Sequence, residues 1–148
     1  MPICKFGSFL TYKKRSELEG NPLPKELIES GSRQLVSAIA FLHGKAISHA
    51  DLKTRNICIS NMMTLKLIDF GLARPFNQET YQNAGRGTIP FLPPEILTWM
   101  IEEKPNNGSF TLNPEARDIW QWGLTLLEMS TDRRIVNDPP KKVEKQQL

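Results

Sequence analysis

Residues 48–60 read SHADLKTRNICIS, a stretch whose two halves pull in different directions. His49, Asp51, Lys53 and Asn56 are too polar to line a core, yet they run directly into the apolar Ile57, Cys58 and Ile59. NICIS and the later LKLID have strand composition, and the turn around Asn61 to Thr64 joins them as a predicted hairpin. A hairpin brings its outer ends together, so Asn56 at one end and Asp69 at the other can converge. An amide oxygen and a carboxylate suit a hard cation such as Mg²⁺, which takes few protein ligands and fills its shell with phosphate oxygens and water. Asp51 and Lys53, two apart in an extended loop, point the same way. One can accept a proton from a hydroxyl while the other holds a negative oxygen nearby. Together these groups supply what phosphoryl transfer demands: a positioned nucleophile, held phosphates and neutralised charge.

Outward from this stretch the chain reads as mostly α. Upstream, SELEGNPLP is a linker rich in turn residues, and Pro24 suits the first turn of a helix. From there to His43, Ile28, Leu35, Ala38, Ile39 and Leu42 recur at helical spacing, and Gly44 stands where a helix stops. AIS, residues 46–48, is long enough only for a strand fragment. Downstream, a short helix is predicted after Pro93 and Pro94, then a loop, KPNNGSFTLNPE. Asn113 followed by Pro114 is a helix start, a capping side chain ahead of a pre-set φ. The helix it opens, ARDIWQWGLTLLEM, is apolar on nearly every side, which predicts burial all round with Trp120 and Trp122 in the core. Phe91 and Leu92 are expected to pack, and His49 to be a structural histidine.

The bulk numbers bound the partners. The chain has 148 residues, 39% hydrophobic and 24% charged, as one globular domain has. Its net charge is +3, but the segment from Arg133 onward carries five Lys/Arg against two Asp/Glu and so accounts for all of it. With no basic stripe interleaved with aromatics, nucleic acid is not an expected partner. No apolar run approaches the roughly 20 residues of a membrane span, and MPICKFGS lacks the order of a secretory signal. Neither a membrane nor secretion is expected, which leaves a cytosolic or nuclear setting. Cys4 and Cys58 lack metal-ligand spacing and read as separate buried thiols in a reducing compartment.

Five motifs in one order then carry a family resemblance. HADLKTRN resembles the catalytic loop of eukaryotic protein kinases, and IDFGLAR their D-F-G metal-binding turn. GTIPFLPPE is similar to the end of the activation segment, with PPE in place of A-P-E. DIWQWG resembles the D-x-W-x-x-G of the large lobe's central helix, and MPICKFGSFLTY the hinge. The implied fold is a kinase-like C-terminal lobe, mostly α with a small β-hairpin and truncated at both ends. Residues 1–134 would form this partial domain, and residues 135–148 a polar basic tail without fixed structure.

The resemblance implies ATP and Mg²⁺ as cofactors and a protein as substrate. By position, Asp51 would orient and deprotonate the substrate hydroxyl, and Lys53 would contact the transferring phosphate. Thr88 would bond across to both, while Asn56 and Asp69 would hold Mg²⁺. Met1 would fall at the gatekeeper, with backbone groups of Pro2 and Cys4 facing adenine and the Cys58 side chain beneath it. Gly71 belongs to the metal-binding turn, Glu95 to the segment's end, and Asp118 would brace the backbone around His49 and Ala50. Lys53 and Thr88 resemble the serine/threonine subgroup more than the tyrosine subgroup.

Two departures stand out. Ala50 replaces the arginine that, in the family, meets a phosphate on the activation segment, so activation is expected not to depend on phosphate at Thr80 or Tyr81. The chain also holds no glycine-rich loop, no phosphate-pairing lysine strand and no helix glutamate to pair with it. The family's last helices and the arginine that would pair Glu95 are likewise missing. ATP would then lie on an open shelf, and the helix at Ile119 to Met129 would show water a face it expects to bury. Three or four such side chains forfeit ~1.5–3 kcal/mol each against a domain's ~5–15 kcal/mol. The isolated chain is expected to be inactive and marginally folded, needing a missing N-lobe or another kinase as partner. A rival expectation is a non-catalytic lobe that binds, or decoys, another kinase or its substrate.

Overall fold

The computed structural model describes residues 4, 6–60, 62–101, 112–131 and 135. All of the expected tail but Ile135, most of the loop before Asn113, and the Met1 and Pro2 assignments lie outside them. Among the described residues the chain forms five α-helices and two two-stranded sheets, the mostly α architecture expected.

The hairpin organises the core. β2 (Ile57–Ile59) and β3 (Leu65–Leu67) pair antiparallel, Ile57 opposite Leu67 and Ile59 opposite Leu65. Every residue of β2 is buried. Behind it lies α2 (Lys25–His43), whose Leu27, Gly31, Leu35 and Ile39 form a buried stripe four residues apart. Gly31 has a steric reason to be glycine, because a Cβ there would overlap the Leu65 side chain. Phe9, Leu27, Leu35, Ile57, Ile59, Leu65 and Met129 close into one apolar cluster, each contributing on the order of 1.5–3 kcal/mol. Pro24 sits one residue ahead of α2, as its cap rather than inside its first turn.

α1 (Phe9–Leu18) was not foreshadowed, and it takes in the start of the expected linker. FLTYKKRSEL has no apolar stripe, so periodicity misses it. It stands on its ends instead: Ser8 Oγ accepts from the Thr11 N–H at 3.2 Å, and Phe9 anchors it in the core. Buried Lys13 donates to the carbonyl oxygens of Glu128, at 2.6 Å, and Thr131. An ammonium at the last turn of another helix is favoured by the carbonyls left unpaired there.

β1 (Ile47–Ser48) is the expected fragment, and it pairs antiparallel with β4 (Arg74–Pro75). α3 (Tyr81–Ala84) and α4 (Pro94–Ile101) follow, with Ala84, Leu92 and Ile96 forming a second, smaller cluster. No helix among the described residues is long and apolar enough to cross a membrane.

Two expectations are overturned. Cys4 and Cys58 are joined in a disulfide, their Cα atoms 5.9 Å apart, rather than standing as separate thiols. The cause is backbone pairing that spacing cannot reveal. Phe6 N–H donates to Ile59 O, Ile59 N–H donates to Gly7 O, and Ser8 bridges Cys58, so the chain start lies along β2. The second concerns α5 (Pro114–Ser130), which opens as expected with Asn113 Oδ1 accepting from Ala116 N–H at 3.0 Å. It shows water a face, as expected, but its buried face is not the apolar one. Its inward face is polar, with Arg117, Asp118, Gln121, Thr125 and Glu128 buried beside Met129. Ile119, Trp120 and Leu127 are 55%, 44% and 39% exposed, so Trp120 is not a core residue. The irregular loop that α5 faces has no strand partner, and its buried backbone groups draw polar side chains inward.

Candidate active site

The loop from β1 to β2, residues 49–56, carries the polar stretch. Its conformation depends on Ala50, a non-glycine residue in the left-handed region at φ 68°. Such a residue costs on the order of 1–3 kcal/mol unless its surroundings over-determine it. They do so from α5. Asp118 accepts from Ala50 N–H at 2.8 Å, His49 N–H at 2.9 Å and Ser48 Oγ–H at 3.0 Å, with His43 Nε2 at 2.9 Å. The Ala50 carbonyl accepts from Arg117 Nη2 at 2.9 Å and Gln121 Nε2 at 3.2 Å. Gln121 Oε1 takes the Leu52 N–H at 3.0 Å, and Glu128 Oε2 takes the Thr54 hydroxyl at 2.7 Å.

The clamped loop presents Asp51. Its Oδ1 accepts from Thr88 Oγ1 at 2.9 Å, and its Oδ2 accepts from Lys53 Nζ at 2.6 Å and Asn56 Nδ2 at 2.8 Å. Lys53 Nζ also donates to Thr88 Oγ1 at 2.7 Å, closing a triangle. Burial pushes the Asp51 carboxyl up. The Lys53 ammonium, Thr88 and Asn56 together outweigh it and hold the group below its ordinary 3.8. Asp51 is therefore a carboxylate at neutral pH, able to accept a hydrogen bond from an incoming hydroxyl. Beside the triangle lies a cleft of about 220 Å³, walled by Leu10, Arg55, Phe91 and Glu128 as well as Lys53 and Thr88.

Asn56 Nδ2 is committed to Asp51, reaching its carbonyl oxygen at 2.9 Å as well as the carboxylate. That leaves the amide oxygen as the atom a cation would use. Ile68 N–H donates to the Asn56 carbonyl at 2.9 Å, so the hairpin's outer ends meet and Asp69 follows one residue on. Asp69 is exposed, in the left-handed region at φ 64°, with Oδ1 accepting from Gly71 N–H at 3.3 Å. A Cβ on Gly71 would sit 3.2 Å from that oxygen, close enough that the Asp69 carboxylate would have to shift slightly. No group of three or more His, Cys, Asp or Glu that could hold a metal exists among the described residues. One carboxylate and one amide oxygen are too few for an all-protein cage, and fit a hard cation that arrives with phosphate oxygens.

The remaining expected residues are scattered. Cys58 is buried in β2 and bonded to Cys4 at the chain start. Glu95 is half-buried in the first turn of α4. His49 is fully buried, its Nδ1 accepting from Asp51 N–H at 3.4 Å and its ring 5.0 Å from that of Phe70. Burial holds its pKa below 6.5 despite Asp118, the Ile68 carbonyl, Asp51 and Asp69. The unfolded chain binds this proton more readily, so His49's contribution is complete above pH 6.5 and falls as the pH drops through 6.5 toward the folded value. Thermal unfolding midpoints measured from pH 7.5 to 5.5 should decline less steeply in His49→Gln than in the parent. Parallel profiles would refute the assignment.

Arg117, Gln121, Glu128 and Glu79 are site residues that the motifs in the sequence do not single out. The first three had a signal: with Thr125, they are polar residues recurring three or four apart in an otherwise apolar helix. Glu79 had none.

The family described as "Protein kinase domain" matches residues 1–148. Among curated relatives, the human non-receptor tyrosine-protein kinase TNK1 is 36% identical over 99 residues, which is 66% of this chain and 14% of that protein. Its mouse counterpart is 36% identical over 110 residues, 73% of this chain and 15% of that protein. The serine/threonine-protein kinase ppk34 of Schizosaccharomyces pombe is 33% identical over 106 residues, 72% of this chain and 28% of that protein. The chain thus spans between about a seventh and just over a quarter of these relatives.

Proposed function

This chain belongs to the protein kinase family, and from that premise we propose that it is the catalytic lobe of an enzyme that, once completed by an N-lobe, transfers the γ-phosphate of ATP to serine and threonine hydroxyls of a protein substrate, the isolated chain being inactive. The observation that carries the proposal is the Asp51–Lys53–Thr88 triangle, with an ionised carboxylate at its centre. The substrate oxygen attacks the γ-phosphorus and the bond to the β–γ bridging oxygen breaks. ADP leaves, and the hydroxyl proton passes to Asp51. Lys53 holds the transferring group, and Thr88 fixes the two side chains relative to each other. Asn56 and Asp69 would hold Mg²⁺, which when bound offsets charge on the phosphate oxygens. Cys4 and Cys58, with Met1 and Pro2, belong to the proposed adenine side. We place the protein in the cytosol or nucleus.

Serine/threonine preference rests on Lys53 and Thr88, and the relatives include kinases of both kinds. It is tested by labelled phosphate transfer from ATP with Mg²⁺ to otherwise identical serine, threonine and tyrosine peptides. Transfer to the first two is expected, and tyrosine as the preferred acceptor overturns that part. A second reading, a non-catalytic lobe that binds another kinase or its substrate, draws on the open apolar surface formed by Ala116, Ile119, Trp120, Gly123 and Leu124. It wins if no peptide is phosphorylated even by the full-length protein and a kinase co-purifies.

A further inference from the structure

Arg117 is among the largest fully buried side chains of the molecule, and the chemistry above does not use it. From the first turns of α5 its guanidinium reaches two oxygens on two different segments. Nη2 donates to the Ala50 carbonyl at 2.9 Å, and Nη1 donates to Glu79 Oε1 at 2.7 Å. Glu79 stands where the chain leaves the turn Phe76–Gln78 and sets out toward Thr88. Both charged side chains are only 1% exposed. The far end of the same segment also closes on the guanidinium, for a Cβ on Gly87 would sit 3.1 Å from Arg117 Nη2 and 3.4 Å from the Ala50 oxygen. One planar cation thus lies against the catalytic loop and both ends of residues 79–88.

Stability alone does not account for this pair. Burial pushes Glu79 up and Arg117 down, so the loss of hydration outweighs the mutual attraction in both groups. Pairs of this kind add little to stability over apolar side chains of the same volume, yet are costly to break by halves. A guanidinium offers a rigid fork that bonds two acceptors at fixed angles. Position 50, where the family resemblance leads one to expect an arginine, is alanine.

We propose that Arg117 is a positioning residue that ties the activation segment to the catalytic loop through Glu79, keeping Thr88 on Asp51 with no phosphate on the segment. The proposal rests on the phosphotransfer reading for its purpose, but its test does not. Amide hydrogen exchange across 79–88 is measured on the whole chain, alongside the thermal midpoint. In Arg117→Met/Glu79→Leu, which replaces the pair with apolar side chains, the midpoint should hold or rise. Exchange across 79–88 should nevertheless quicken by about tenfold or more. Glu79→Gln keeps the shape without the charge, and should quicken the same amides by a smaller factor if the double variant fails to fold. Phosphatase treatment of the parent chain should leave protection across 79–88 intact.

Unchanged exchange in both variants, or exchange that merely follows a lowered midpoint, overturns the proposal. So does loss of protection on phosphatase treatment. Absence of peptide phosphorylation would count against the proposed reaction and leave this result standing.

Discussion

Asp51→Asn in the full-length protein is expected to slow peptide phosphorylation by about 10²–10⁴-fold, the usual worth of a positioned general base. That corresponds to ~3–5 kcal/mol of transition-state stabilisation. The loss should fall on kcat. Asparagine keeps the shape of the side chain and can still accept from Lys53 or Thr88, so the loop stays in place. Asn56 keeps its bond to the backbone carbonyl of residue 51 and Asp69 is untouched, so the apparent KM for ATP should move little, which marks an interaction made mainly in the transition state. Asparagine cannot take the proton, and its neutral amide no longer offsets the Lys53 ammonium 2.6 Å away. Steady-state kinetics with saturating Mg²⁺ and one peptide decide the matter. A variant with unimpaired kcat would remove Asp51 from the chemistry and, with it, the reading of the triangle.

Much of this architecture is legible in the sequence. α2 and the start of α5 were legible because their signals are local: an apolar stripe ending at Gly44, and Asn113 ahead of Pro114. The hairpin was legible because two short apolar runs flank a polar turn, and the meeting of Asn56 with the Asp69 end followed from it. α1 was hidden because its stability comes from Phe9 and Lys13 reaching distant partners, not from its own pattern. The inward face of α5 is hidden for a related reason. Apolar count describes a helix that packs on side chains, whereas this one packs partly on backbone, and backbone asks for hydrogen bonds. The Cys4–Cys58 bond spans 54 residues and depends on how the chain start lies along β2. Motif spacing brought Asp51, Lys53 and Thr88 into one proposal, but it could not reveal Glu79, whose only distinction is the residue it meets.

Asp118→Ala should be the most damaging single substitution for stability, about 3–5 kcal/mol, because it strands several buried donors at once. Four groups converge on this fully buried carboxylate: the His49 and Ala50 N–H groups, the Ser48 hydroxyl and His43 Nε2. In the variant the His49 and Ala50 N–H groups and the Ser48 hydroxyl cannot turn to water without opening the core, whereas half-buried His43 can. Unpaired buried donors of this kind cost about 1–3 kcal/mol each, and partial relaxation keeps the total below a simple sum. Ala50 adds to the effect, since its left-handed backbone loses one of the contacts that hold it there. Asp118→Asn separates the contributions: its single carbonyl oxygen can still accept, so it should lose about half as much as alanine. Urea unfolding of the three proteins measures this, with equal m-values marking a change in stability rather than in the surface exposed. An alanine variant within about 1 kcal/mol of the parent would mean that the loop satisfies its own backbone. The polar face of α5 would then not be what shapes the site.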